Sequence, residues 1–288
     1  MTDRAPTGAR PPHQPTKAPG RVKEIASVSN PIVKDIRALG QKKHRDETGL
    51  FLAEGLKLVI DALDAGWEIE TLVVGKAALS GELLSRTAAR TVAAGADLVE
   101  ASAKVLEAIT RRDNPQSAVG VFRRRLSRLD RMAPAAGGLL VALDRVRDPG
   151  NLGTILRTAD AAGVCGVALV GECTDPFALE TVRATMGSIF AVPIARVTEA
   201  EFLNFRSTFK GLVAGTHMEG AVDYRTPDYG ARPAVLLMGN EQAGLSPTLA
   251  AACDTLVRIP QAGRADSLNL AVATGIMIFE ARRKALTL

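Results

Sequence analysis

Cysteine is scarce in this chain of 288 residues. Only Cys165, Cys173 and Cys253 occur, an odd number with no CxxC pair. That excludes a disulfide framework and a thiolate zinc site, and it fits a reducing compartment. The three histidines, His13, His44 and His217, stand far apart without HExxH spacing, so no metal cage is expected. No apolar run reaches the roughly 18 residues of a spanning helix. Residues 1–20 lack the apolar core of a secretory signal, and a cytoplasmic protein is expected. Aromatic residues make up 4%, which argues against recognition by stacked bases. Three common signatures are also missing. Without GxGxxG there is neither a dinucleotide site nor the usual Gly-rich methyl-donor loop of a Rossmann-like methyltransferase. Without GxxxxGK[ST] there is no triphosphate loop, and without GxSxG no nucleophile elbow.

What is present is charge, unevenly placed. The net charge is +5, and residues 1–50 alone hold 10 basic and 5 acidic side chains. Residues 111–128 add Arg111, Arg112, Arg123, Arg124, Arg125 and Arg128 against Asp113. From residue 139 onward the balance is 14 basic to 15 acidic. A basic N-terminal half beside a nearly neutral C-terminal half points to a polyanion, with a solvated basic surface as the plain alternative.

The chain divides into four parts. Residues 1–20 carry five prolines and little to bury, and read as a disordered basic tail. Residues 21–122 alternate helices and short strands, an α/β unit. Asn30 followed by Pro31 marks a capped helix start at 31–39. Leu50–Glu54, Ile69–Val74 and Ala118–Phe122 read as strands, and Ser102–Ile109 as a capped helix. Leu56, Val59, Ile60 and Leu63 share one helical face. Residues 123–138 form an Arg-rich, then Ala/Pro/Gly-rich linker. From Leu139 the strands are near-continuous apolar runs, as a parallel sheet covered on both faces requires. They are expected at Leu139–Leu143, Val167–Val170, Leu212–Ala214, Ala234–Met238 and Thr255–Ile259. Helices are expected at Leu152–Ala162, Leu179–Thr185, Glu199–Phe209 and Leu268–Lys284.

Three segments follow strands of the second unit, where parallel sheets bind ligands. The first is Asp144-Arg-Val-Arg-Asp-Pro-Gly-Asn151-Leu-Gly-Thr-Ile-Leu-Arg157. Asn151 either caps the helix that begins there or positions a ligand. Arg157 follows two turns later, and read alone it is a surface salt-bridge residue. The second runs from Leu236 through Gly239-Asn240-Glu241 to Gly244. Gly239 permits close backbone approach to a ligand or unusual dihedrals, and Glu241 either holds a polar ligand group or is solvated in a turn. The third, Ile259 to Ala273, places Ser267 as N-cap and Asn269 in the first turn of the last helix.

Together these segments resemble the SpoU (TrmH-like) family of RNA ribose 2′-O-methyltransferases, in the SPOUT class. The resemblance rests on Asn151 and Arg157, on Gly239-Asn240-Glu241, and on Ser267-Leu268-Asn269, in that order, and covers residues 139–288. A weaker resemblance over residues 21–122, with Phe51-Leu-Ala-Glu54-Gly55 at its strand-to-helix turn, is to the family's ribosomal-protein-like substrate-binding domain. The resemblance implies a parallel α/β sheet tied in a deep trefoil knot, and a homodimer formed through the knotted domain. It implies S-adenosylmethionine, without metal, held by Met238, Gly239, Asn240, Ile259, Leu268 and Thr216, largely through backbone groups and apolar packing.

It further implies methylation of structured RNA. Large-subunit ribosomal RNA is the first choice and transfer RNA the second. The alternative is a non-catalytic RNA-binding ribosome-assembly factor. Arg157 carries the reaction in this reading: an arginine pKa above about 12 makes it a phosphate grip that orients the hydroxyl, with the phosphate or water taking the proton. Asn151 holds the same ribose-phosphate region, Glu241 fixes Arg157 or the substrate, and Ser267 and Asn269 shape the donor pocket. Lys34, Lys42, Lys43 and Arg45 are then expected to dock RNA phosphates.

Overall fold

The computed structural model describes residues 18–218, 222–264 and 266–287. Most of the tail therefore lies outside the described residues. Two sheets follow each other along the chain. The first is built from β1 (Val22–Ile25), β2 (Leu50–Glu54), β3 (Ile69–Gly75), β4 (Asp97–Ala101) and β5 (Ala118–Arg123). Its order is β1-β4-β3-β5-β2. β1, β4 and β3 are parallel, and β5 runs antiparallel to β3 and β2. Its helices are α1 (Pro31–Ala38), α2 (Lys42–Thr48), α3 (Leu56–Asp64), α4 (Glu82–Ala93) and α5 (Ala103–Thr110). Asn30 caps α1 as its sequence announces, accepting from the Ile32 N–H with Pro31 in the first turn. Ser102 precedes α5 but makes no cap bond, because its hydroxyl donates to the Ala26 carbonyl. α3 buries Leu58, Val59 and Ala62, so its buried face is turned from the expected stripe, of which Val59 is buried and Leu56 and Leu63 pack half-buried on the same cluster.

The second sheet contains β6 (Leu139–Asp144), β7 (Gly166–Val170), β8 (Ile194–Val197), β9 (Leu212–Thr216), β10 (Val222–Asp223), β11 (Ala234–Met238) and β12 (Thr255–Arg258). Its order is β10-β12-β9-β11-β6-β7-β8, parallel at every pairing. Every residue of β6, β7 and β11 is buried, which explains their unbroken apolar sequence. Helices α6 (Pro149–Ala161), α7 (Leu179–Thr185), α8 (Glu199–Thr208), α9 (Pro247–Ala251) and α10 (Leu270–Arg282) cover it. α10 packs on α6 and β11, and Arg282 at its end donates to the carbonyls of Ala162 and Gly137.

The two units share one apolar cluster. Phe51, Trp67 and Phe122 of the first interlock with Phe177 and Phe190 of the second, with ring centroids 4.9–6.2 Å apart. The Trp67 Nε1–H donates to the Phe190 carbonyl. Two guanidinium–carboxylate pairs cross the same boundary in opposite senses. Arg45 of the first unit grips Asp175 of the second through Nε and Nη2 at 2.9 and 2.7 Å. Arg183 of the second grips Glu54 of the first at 2.9 and 2.6 Å, and also donates to the Thr110 carbonyl. Five of the chain's eleven aromatic residues thus meet at the boundary. Among the described residues no helix is long and apolar enough to cross a membrane.

Candidate active site

β6 and β11 are paired neighbours, Met238 standing opposite Leu143. The chain leaves them in opposite directions: β6 leads to β7 on one side, and β11 leads past β9 to β12 on the other. Such a switch opens a crevice at the carboxyl ends of the strands. The first two sequence segments meet there, and the third joins them through α10.

Glu241 is the hub. Its carboxylate accepts from the backbone N–H groups of Arg147 (3.3 Å) and Asp148 (3.2 Å) and from the amides of Asn151 and Asn240 (both 3.3 Å). The Asn151 Oδ1 in turn accepts from the Asn269 amide at 2.9 Å. The Asn269 Oδ1 accepts from the Ala271 and Val272 N–H groups, capping α10. One hydrogen-bonded string therefore ties the three loops together. Asn240 braces it, donating to the Arg145 carbonyl at 2.7 Å and accepting from Gln242 and Ala243.

Behind the hub, Arg145 adopts φ +50 while its guanidinium grips the buried Asp144 at 2.8 Å through both Nε and Nη2. Asp144 also accepts from the Ser246 N–H, and the Ser246 hydroxyl bonds to Glu199. The Asp144 bond raises the Arg145 pKa further. Burial pushes the nearby Cys173 thiol up to about 11, which leaves it an inert packing group. Among the described residues no cluster of His, Cys, Asp or Glu could hold a metal ion.

Beside the hub lies a cleft of about 590 Å³, within the size of small-molecule sites. Thr216, Met238, Gly239, Asn240, Ile259 and Leu268 all line it, as do Glu241 and Ser267. Sequence reasoning missed Met218, Gln261 and Asp266 on the same wall, which sit in loops without periodic pattern. Gly239 has a plainer reason than the two expected: a Cβ there would stand 2.4 Å from the Gly244 carbonyl carbon, so the loop needs glycine to close on itself. That closure is a pair of bonds between the Asn240 and Gly244 backbones.

Several expectations need correction. The cap of α6 is Asp148, which accepts from the Asn151 N–H, with Pro149 in the first turn. The signal was the Asp-Pro pair, the same one that marks Asn30-Pro31. The cap of α10 is Asn269, not Ser267, which is exposed on the cleft wall. Glu241 does not hold Arg157. Arg157 is exposed on α6, outside the cleft lining, and among the described residues its side chain forms no ion pair or hydrogen bond. Lys34, Lys42 and Lys43 are exposed, but Arg45 is 3% exposed and committed to Asp175, so it cannot dock RNA. The Arg-rich linker is largely neutralised too. Arg123 pairs with Glu70, Arg124 with Asp46 and Arg128 with Asp130, while Arg125 lies over the Trp67 ring.

Residues 138–279 match the SpoU rRNA Methylase family, and residues 30–120 match the MRM3-like substrate binding domain. A crystal structure of an AdoMet-bound rRNA methyltransferase from Sinorhizobium meliloti is 62% identical. It covers 92% of this chain and 99% of its own, with a TM-score of 0.88. The 23S rRNA (uridine(2479)-2′-O)-methyltransferase of Streptomyces viridochromogenes is 33% identical over 85% of this chain and 87% of its own. The 23S rRNA (guanosine(2553)-2′-O)-methyltransferase of Bacillus subtilis is 32% identical over 91% of this chain and all of its own. With both units matched and relatives aligned along nearly their whole length, the chain belongs to the SpoU rRNA methylase family.

Proposed function

We propose that this chain methylates a ribose 2′-hydroxyl in large-subunit ribosomal RNA, using S-adenosylmethionine. The observation that carries the reading is the Glu241–Asn151–Asn269 string at the edge of a cleft of ligand size. The cleft suits the donor: Met238, Ile259 and Leu268 offer apolar walls, and Glu241 and Asp266 offer carboxylates to a cationic ligand. Bound there, S-adenosylmethionine would supply a methyl group on a positively charged sulfur. The chain's own part is to hold the ribose. Arg157 grips the adjoining phosphate and fixes the hydroxyl in line, and its proton passes to that phosphate or to water. Asn151 steadies the same sugar, and Ser267 and Asn269 shape the wall. Lys34, Lys42 and Lys43 dock phosphates without reading sequence.

The reading includes a homodimer through the second unit. α10 presents Val272 and Phe279, 53% and 48% exposed and seven residues apart on one face, a stripe that a second copy would cover. Arg157 stands outside its own chain's cleft, so it serves the cleft of that second copy. Phe279→Glu should yield monomers by light scattering, and a dimer that persists would remove this interface. A trefoil knot belongs to the same reading, supported by the return of the chain from β12 to pack α10 on α6. A cytoplasmic location follows from the substrate.

The test is transfer of labelled methyl to unmodified ribosomal RNA, with transfer RNA in parallel, followed by digestion. Label in a 2′-O-methylated dinucleotide from ribosomal RNA supports the reading and names the site. Label in transfer RNA alone moves the substrate. Donor binding without transfer to either RNA points to an assembling particle as substrate. Absence of donor binding overturns the reading in favour of a binding factor.

A further inference from the structure

Among the described residues three non-glycine residues hold positive φ: Arg111, Arg145 and Met186. Backbone in this region is unfavourable for an L-residue and persists at helix ends or where the surroundings fix it. For Arg145 the cause is visible in its bidentate bond to buried Asp144. Arg111, at the C-cap of α5 with φ 55 and ψ 41, closes the helix by donating its N–H to the Glu107 carbonyl, and among the described residues its guanidinium forms no hydrogen bond or ion pair. Glycine is the residue this position would favour for stability.

The Arg111 side chain is nevertheless placed. It lies on Gly40, in the turn between α1 and α2, where a Cβ would stand 2.6 Å from its Nη2. Gly40 is thus the shelf on which the guanidinium rests. That turn is itself anchored: Arg45 donates to the Leu39 carbonyl and to Asp175 of the second unit. The residue before Arg111 is anchored likewise, because Arg183 of the second unit donates to the Thr110 carbonyl. Arg37, Lys42 and Arg112 flank this spot, are exposed, and form no hydrogen-bonded ion pair among the described residues. The arginines of the linker, by contrast, are mostly occupied by acids.

We infer that Arg111 is an RNA-phosphate contact at the boundary between the two units, held in a strained backbone so that its guanidinium rests on Gly40 and faces solvent. The partner is a phosphodiester backbone, which a guanidinium engages bidentately. The inference rests on the RNA reading above and extends it: the docking surface runs from Lys42 across the α1–α2 turn to the end of α5. Its position is rigid relative to the cleft, because both supporting segments are bolted to the second unit.

The experiment is Arg111→Gly and Arg111→Asn, the two residues most at ease in left-handed backbone, with Arg86→Ala as a control for loss of one exposed charge. Binding to a transcript of the large-subunit rRNA is measured across a salt series, alongside Tm and S-adenosylmethionine affinity. The expected result for Arg111→Gly is a higher Tm, RNA affinity lower by about ten-fold, and a log–log salt slope shallower by about one. Donor affinity should be unchanged, and the control should bind RNA as the unaltered protein does. RNA affinity and slope unchanged in both Arg111 variants, with the unaltered protein binding normally, would overturn the inference and leave Arg111 a solvated cap. A slope reduced equally by Arg86→Ala would overturn it as well, by reducing the effect to net charge. An unaltered protein without salt-dependent RNA binding would instead bring down the RNA reading itself.

Discussion

The corner at Glu241 and the boundary between the two units both join distant segments through carboxylates, but with opposite chemistry. Glu241 is half-buried and shares its charge among neutral donors at 3.2–3.3 Å. Asp175 and Glu54 are buried and face single guanidinium groups at 2.6–2.9 Å, beside five packed aromatic rings. Bonds of this length from neutral donors to a half-buried carboxylate exchange readily for bonds to a ligand. A buried pair, once formed, is costly to open because each partner strands the other. The difference teaches what each region is for. The corner is held by the bonds that are easier to exchange. The boundary holds the first unit against the second at a fixed geometry, where domains otherwise move by default.

The comparison can be broken at several points. Asp175→Asn strands the Arg45 guanidinium and should cost about 3–5 kcal/mol in denaturant unfolding. A loss below about 1 kcal/mol would mean that the boundary is no stiffer than the corner. Arg157→Ala should lower turnover by about 10²–10³-fold, with S-adenosylmethionine affinity within a few fold. Unchanged turnover would remove its role. Glu241→Gln should lower turnover by about ten-fold while costing no more than about 1 kcal/mol of stability. A large stability loss there would make Glu241 a structural group like Asp175. Charge reversal of Lys42 and Lys43 should weaken RNA binding and flatten its salt slope, whereas reversal at Arg45 should chiefly unfold the protein. An unaltered slope for the lysine pair would move the RNA site elsewhere.

The smallest effect is in alkali. Burial raises the Cys173 thiol to about 11 and the Cys253 thiol to about 12. Because the folded values lie above the unfolded thiol value of about 8.5, this contribution to stability is complete below that pH. It is lost as pH rises through the folded values. Tm should therefore decline above about pH 9, and a Cys173→Ala, Cys253→Ala double variant should decline less.

Much of this could be read along the chain, wherever the signal is local. β2, β11 and α7 begin and end where hydrophobic pattern and punctuation put them. Asn30-Pro31 announces α1, and the same rule applied to Asp148-Pro149 would have given the start of α6. β1, α2 and β4 escaped notice because their sequences are short and rich in charge, whereas the buried stripe of α4, Leu84, Thr87, Ala88 and Thr91, is half threonine and so weakly apolar. α3 turns Leu58 and Ala62 inward beside Val59 because it lies on β2 and β5 of its own sheet, a contact that periodicity does not specify. The cleft-lining residues Thr216, Met238, Gly239, Asn240, Ile259 and Leu268 were legible through the family resemblance, whose motifs lie at strand ends. Their couplings were not: Glu241 reaching the Asn151 side-chain amide, or Asn269 reaching the Asn151 Oδ1, spans 90 and 118 residues.

By itself, then, the sequence determined the two α/β units, the apolar strands of the parallel sheet and the three loops at its carboxyl edge, because helix and strand periods and caps act within a few residues. Only the tertiary structure decided which charges are free. A sequence counts Arg45, Arg123, Arg124 and Arg128 as available cations, and packing assigns each of them an acid. The physical reason is that Coulomb pairing and desolvation depend on distance through space, and Arg45 meets Asp175 across 130 residues of chain.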